Sequence, residues 1–209
     1  MNLKFKRVLM AFIGVIITGT SVGIFQASAL GTDPFTSFTT GVCKLTGLSF
    51  GLFYSILCSV MLVFVFIVDK HYIGIATIFN LVGNGFVADI TRNFIENTII
   101  NPSLLVRVIL LISGVVIMCF AASLYFTADL GVSVYDAVSK IMADKKIAQF
   151  RFCRIMTDLI CVITGFVLKA SVGVGTVITA LFMGPLIQWF NVNLSEPFLY
   201  NDRKNTIEV

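Results

Sequence analysis

Ile73-Gly74-Ile75-Ala76-Thr77-Ile78 returns ninety-nine residues later as Val172-Gly173-Val174-Gly175-Thr176-Val177. Working outward, Gly14-Val15-Ile16 returns as Gly114-Val115-Val116, Leu30-Gly31 as Leu130-Gly131, Phe50 as Phe150 and Gly85 as Gly184. A fixed offset of this size reads as a duplicated unit, and missing it would misassign the fold. Each unit consists mostly of apolar runs, and between such duplicated groups of membrane helices small solutes and ions commonly bind.

Composition sets the solvent. Of 209 residues, 57% are hydrophobic and 12% charged, against about 45–50% and about 25% in an average soluble domain. A helix needs about 20 residues to cross a hydrocarbon core of about 30 Å. Runs 8–30, 50–68, 104–130 and 172–192 meet that length outright. Two more polar runs complete a count of six spans: 73–95, with Asn80, Asn84 and Asp89, and 152–169, with Arg154 and Asp158. The expected fold is an all-α polytopic helical bundle, with a first repeat over 1–100, a second over 101–195 and a cytoplasmic tail over 196–209.

Lys4, Lys6 and Arg7, an apolar run and then Ala27-Ser28-Ala29 imitate a signal peptide. The run is long for that purpose and its counterpart lies mid-chain, so the first segment reads as a retained span. Basic residues orient the rest. With six spans and both termini cytoplasmic, eleven lysines and arginines fall inside and four outside. Three spans per copy make the halves inverted. Counting the short segments 34–46 and 133–144 as spans would give eight, parallel halves and a split of thirteen to two, which charge alone favours slightly. Thirteen helical residues reach only about 20 Å, and the second segment carries Asp136, Lys140 and Asp144. Both segments therefore read as interfacial or re-entrant helices.

The breaks carry the chemistry. Leu30-Gly31-Thr32-Asp33-Pro34 ends one helix at glycine and starts another with an Asp cap and a proline in the first turn. Leu130-Gly131-Val132-Ser133 repeats this with a Ser cap. Interrupted helices at matching places in two halves point to a binding site. The candidate substrate-binding residues are Asp33 and Thr36 in the first short helix, Asp136 in the second, and the stripes Thr77, Asn80, Asn84 and Thr176, Thr179. Spacings of three and four put each stripe on one helical face, where it either lines a polar path or bonds neighbouring helices. Asp89, Arg154 and Asp158 are the candidate gating or coupling charges, since ionisable groups within a span carry function by default. Arg154 and Asp158 can also neutralise each other at a spacing of four.

Other chemistries find little support. Five cysteines form no CxxC pair, and the single His71 leaves no material for a His-rich metal cage or a Ser-His-Asp triad. No catalytic residues, cofactor or metal are expected. The net charge of +4 follows from cytoplasmic loops and calls for no nucleic acid.

Leu30-Gly31-Thr32-Asp33-Pro34 with Gly41, Thr46-Gly47-Leu48-Ser49-Phe50-Gly51, Ile73-Gly74-Ile75-Ala76-Thr77 running to Gly85 and Asp89, Arg154, and Gly184-Pro185-Leu186-Ile187-Gln188 together resemble the YczE/YyaS/YitT group of bacterial integral membrane proteins, in its YczE-like branch. The resemblance covers residues 10–190 and implies a multi-pass cell-membrane protein. It implies no biochemical activity. The chain departs from the pattern at Phe35-Thr36, where the group usually has Trp-Asp, and at Lys169-Ala170-Ser171, where it usually has a glycine pair. The leading expectation is a permease-like protein that moves a small solute by rocking two halves. The alternative is a non-transporting accessory or regulatory protein acting through helix contacts with a membrane partner or a second copy of itself.

Overall fold

The structure, a computed structural model, describes residues 3–148, 150–170 and 172–200. All regular structure among them is helical: α1 (Leu3–Ser28), α2 (Pro34–Thr46), α3 (Phe50–Val68), α4 (Ile75–Thr98), α5 (Leu104–Ala128), α6 (Val134–Asp144), α7 (Phe150–Val167) and α8 (Val174–Phe190). A 3-10 turn, Lys70–Tyr72, precedes α4, and α8 continues through a π-turn, Asn191–Ser195, to Tyr200. The segment 196–200, the first part of the expected tail, is thus helical, and the remainder of the expected tail, 201–209, lies outside the described residues.

Four helices are long and apolar enough to cross a membrane: Lys4–Ser28, Phe50–Val68, Leu104–Ala128 and Val174–Tyr200. The other two expected spans form helices α4 and α7, which are not among these four; α4 carries Asn80, Asn84 and Asp89, and α7 carries Arg151, Arg154 and Asp158.

Local chemistry sets the boundaries. The first span ends two residues earlier than the expected 8–30, because Ala29 (φ 53°) and Gly31 (φ 109°) turn left-handed. Asp129 (φ 51°) and Gly131 (φ 100°) end α5 in the same way. Side-chain caps then restart the chain. Asp33 Oδ1 accepts from the Thr36 amide (3.1 Å) ahead of Pro34, and Ser133 Oγ accepts from the Asp136 amide (3.2 Å). Each cap satisfies one of the orphan N–H groups of a helix start.

The central pair, α1 and α5, runs antiparallel. Gly14 brings α1 against Tyr125, Gly114 brings α5 against the Phe25 ring, and Ser21 Oγ donates to the Gly114 carbonyl (2.8 Å). Side chains at Gly14 or Gly114 would meet neighbours at 3.1–3.2 Å, tighter than ordinary contact. α4 lies parallel to α1, with Phe12 on Phe79 and Gly23 on Thr91. α8 lies parallel to α5, with Leu111 at Gly175 and Phe120 on Phe190.

Other contacts cross between the first and second hundred residues. The Ala76 amide donates to the Leu130 carbonyl (3.0 Å), and the Gly175 amide to the Leu30 carbonyl (3.0 Å). The carbonyl freed where one helix breaks is thereby taken by the first turn of a helix from the other part of the chain. Likewise α2 packs on α7, with Ser37 against Gly165, and α6 packs on α3, where Val65, Ala137 and Ile141 share one cluster. One end of the bundle gathers Arg7, the 70–72 turn, Asp144 and Tyr200: Arg7 Nη2 donates to Tyr200 Oη, and Tyr72 Oη to Asp144. That bond to the Asp144 carboxylate is the main reason the Tyr72 hydroxyl is pushed up to about 12. The opposite end gathers Lys44 and Lys169, joined through the Lys169 carbonyl.

Candidate functional site

The short helices α2 and α6 begin side by side. Phe35 stacks on Tyr135 with ring centroids 4.6 Å apart and planes 23° from parallel. The two residues stand one hundred apart in sequence, and each opens the second position of its helix.

A charge cluster grows from Tyr135. Its hydroxyl donates to Asp158 Oδ1 (2.5 Å), and the Arg154 guanidinium lies 4.7 Å over its ring. Arg154 Nε also meets Asp158 Oδ1 (3.3 Å), while Nη1 donates to Asp136 Oδ1. The other oxygen of Asp136 accepts from Tyr125 Oη (2.6 Å) and Ser133 Oγ (2.8 Å). The result is a guanidinium between two carboxylates, every member of which is hydrogen bonded. An unpaired charge withdrawn from water costs several kcal/mol, so the cluster needs all its members. Asp33 lies within electrostatic range of Asp158 and Arg154, and its Oδ2 is buried without a hydrogen-bond partner.

Counterpart positions in the first hundred residues carry neutral groups. Tyr54 stands where Arg154 stands a hundred later, and its hydroxyl donates to Asn80 Oδ1 (2.8 Å) and accepts from Asn84 Nδ2 (2.9 Å). Phe35 joins the two centres, edge-on to Tyr54 and stacked on Tyr135. Rings thus lie between the amides and the ions, and two cavities of about 310 and 160 Å³ lie elsewhere on the molecule.

The structure distributes the expected residues unevenly. Asp136, Arg154 and Asp158 come together, so Arg154 serves two carboxylates rather than only its neighbour at a spacing of four. Asn80 and Asn84 meet at Tyr54. Thr77 and Thr176 are buried, but each closes a helix start: Thr77 Oγ1 accepts from the Gly74 amide (3.1 Å) and donates to the Val132 carbonyl (2.8 Å), and Thr176 Oγ1 accepts from the Gly173 amide (3.3 Å). Thr179 donates back to the Thr176 carbonyl (3.0 Å). Thr36 is buried on α2 and holds Asp33 through its amide. Asp89 stands apart, capping α3 by accepting from the Gly51 amide (2.7 Å).

Sequence reasoning missed Tyr54, Tyr125 and Tyr135. A usable signal was there: the chain has twenty phenylalanines and only five tyrosines, so a tyrosine within an apolar run marks a place where a buried hydroxyl has a partner. Among the described residues no three His, Cys, Asp or Glu side chains gather into a metal site.

A buried ion cluster inside a bundle of long apolar helices defines a helical membrane protein. Residues 5–192 match DUF6198, a family of unknown function, and the chain belongs to it. It is 25% identical over 195 residues, 92% of this chain and 96% of the relative, to the uncharacterised protein YyaS of Bacillus subtilis (strain 168). It is 23% identical over 179 residues, 85% of this chain and 82% of the relative, to the uncharacterised membrane protein YczE of the same organism. An uncharacterised protein of Haemophilus influenzae is 26% identical over 188 residues, 90% of this chain and 84% of the relative. No solved structure matches the chain.

Proposed function

We propose that this is a permease-like protein of the cell membrane that moves a small solute between two inverted three-span halves, with both termini cytoplasmic. The observation that carries the reading is the Asp136–Arg154–Asp158 cluster at the junction of two short helices that are too brief to span. Charges at membrane depth are rare and mark solute or ion paths. Antiparallel α1 and α5, with Gly14 on Tyr125 and Gly114 on Phe25, support inversion, because matching helices of parallel halves would point the same way. α4 and α7 supply the fifth and sixth spans, their polar faces turned to protein.

Asp33, Asp136 and Asp158 outnumber the one guanidinium, which favours a cationic solute or a coupling cation. The rings of Phe35, Tyr54 and Tyr135 close the path in the arrangement described, so passage requires the halves to separate there. The side chains provide binding and charge compensation, with no covalent step. Purified protein in liposomes, screened for flux across organic cations and other metabolites, tests this. Flux that disappears in Arg154→Gln and Asp136→Asn is expected, and folded protein without flux or binding across the panel overturns it.

A second reading, an accessory protein that works through helix contacts, draws on α8. In its most apolar window only 6% is buried, leaving a long face free for a partner helix. Co-purification that depends on α8 surface residues such as Phe182 and Trp189, without any flux, would favour it.

A further inference from the structure

Arg7 and Arg107 occupy equivalent places near the starts of α1 and α5, one hundred residues apart, yet their surroundings differ. At the Arg7 end the π-turn Asn191–Ser195 inserts an extra residue into the turn and rotates the chain that follows. Thr127 Oγ1 donates to Asn191, and Ser123 and Ser195 share a hydrogen bond (2.7 Å). Leu199 is thereby carried inward, 1% exposed, beside Met10 and Leu124, and Tyr200 Oη accepts from Arg7. The chain itself fills this end.

At the Arg107 end α4 stays regular to Thr98. Ile100, ninety-nine residues before Leu199, is 80% exposed instead of buried. A cleft of about 310 Å³ remains, bordered by Gln26, Ala27, Glu96, Ile99, Arg107 and Leu110, within the range of about 300–1,000 Å³ typical of small-molecule sites. Gln26 carries the strongest sign of a ligand: both its Oε1 and Nε2 are buried and neither has a partner. A buried amide left so costs free energy that a bound donor and acceptor would recover. Arg107 Nε donates to the Pro102 carbonyl (3.3 Å), and Glu96 is held by Arg92 (2.8 Å). Arg107 is thus the charge not offset by a carboxylate at this cleft.

We propose that the cleft binds a phosphoester headgroup bearing a hydroxyl, with an apolar chain lying in the room that Leu199 takes at the other end. The phosphoester oxygens face Arg107, as Tyr200 Oη faces Arg7, and accept from Gln26 Nε2, while the hydroxyl donates to Gln26 Oε1. The comparison of the two ends rests on the two-half reading proposed above; the cleft and its unpartnered amide do not.

The test is native mass spectrometry of the full-length protein in detergent, titrated with phosphatidylglycerol and, separately, with glycerol 3-phosphate. Phosphatidylglycerol is expected to bind, with affinity about tenfold weaker in Arg107→Gln, as for loss of one charge-assisted contact. Gln26→Leu weakens it several-fold, and Arg7→Gln leaves it unchanged. Ala27→Leu, which removes no bond and fills the cleft, also weakens it and decides the matter if Arg107→Gln fails to fold. Binding of the lipid alone identifies a bilayer lipid as the source, and equal response to glycerol 3-phosphate identifies the head alone; both support a phosphoester site. Wild-type affinity for both probes in folded Arg107→Gln, Gln26→Leu and Ala27→Leu proteins, or no binding by the wild type, overturns it. Neither result bears on flux, so this site and the transport reading fail separately.

Discussion

Gly74→Ala tests the exchanged contacts between the first and second hundred residues. A Cβ at Gly74 would stand 2.5 Å from the Leu130 carbonyl carbon, closer still to its oxygen, and 2.8 Å from the Gly131 amide nitrogen. These are backbone atoms of a left-handed turn, so no rotamer change relieves the clash. The start of α4 has to withdraw, and overpacking of this kind costs about 1–3 kcal/mol. Withdrawal also stretches the bonds from the Ala76 amide to Leu130 and from Thr77 Oγ1 to Val132, each worth about 0.6 kcal/mol between membrane helices. The expected sum is about 2–4 kcal/mol, a factor of about 30–1,000 in the folding equilibrium. Gly184→Ala is the control, because nothing beyond its chain neighbours lies within 4 Å of its added Cβ, and the helix-propensity gain of about 0.5–1 kcal/mol is offset by the Pro185 ring that follows it, so little net change is expected. Reversible unfolding in mixed detergent micelles, followed by circular dichroism, reads both. Gly74→Ala as stable as the wild type, or Gly184→Ala as damaging as Gly74→Ala, would refute the reasoning.

Other substitutions probe the polar centres. Arg154→Gln leaves Asp136 and Asp158 without their cation; breaking a buried pair costs about 3–5 kcal/mol, and because the Arg154 side chain is 33% exposed we expect about 2–3 kcal/mol in the same unfolding assay. The double variant Arg154→Gln, Asp136→Asn should recover part of that loss, and strict additivity would mean that the two groups do not interact. Tyr54→Phe removes two hydrogen bonds and should cost about 1–2 kcal/mol, whereas an unchanged midpoint would show that Asn80 and Asn84 find other partners.

How far the sequence reached follows from what each element depends on. Segment 34–46 was legible to the residue, because Asp33-Pro34 at its start and Gly47, left-handed at φ 71°, at its end are local signals. The breaks at Leu30-Gly31 and Leu130-Gly131 were legible for the same reason, and the stripe of Asn80 and Asn84 followed from helical period. What stayed hidden depends on neighbours distant in sequence. Nothing local says that Gly74 approaches Leu130, that Arg154 serves Asp136 on another helix, or that Thr77 and Thr176 bond at helix starts. The π-turn was hidden too, since Asn191–Ser195 reads as the frayed end of an apolar run, and its hydrogen bonds to Ser123 and Thr127 come from α5.

The central claim is inversion of the two halves, and labelling single cysteines from each side of the membrane tests it most directly. Thr46, at the end of α2, and Lys145, just past α6, are exposed and would each carry the only cysteine in a chain stripped of its native five. An impermeant maleimide applied to intact cells is predicted to label residue 46 and, only after the membrane is opened, residue 145. Labelling of both from the same side would contradict the account, because the halves would then be parallel and the short helices would cross.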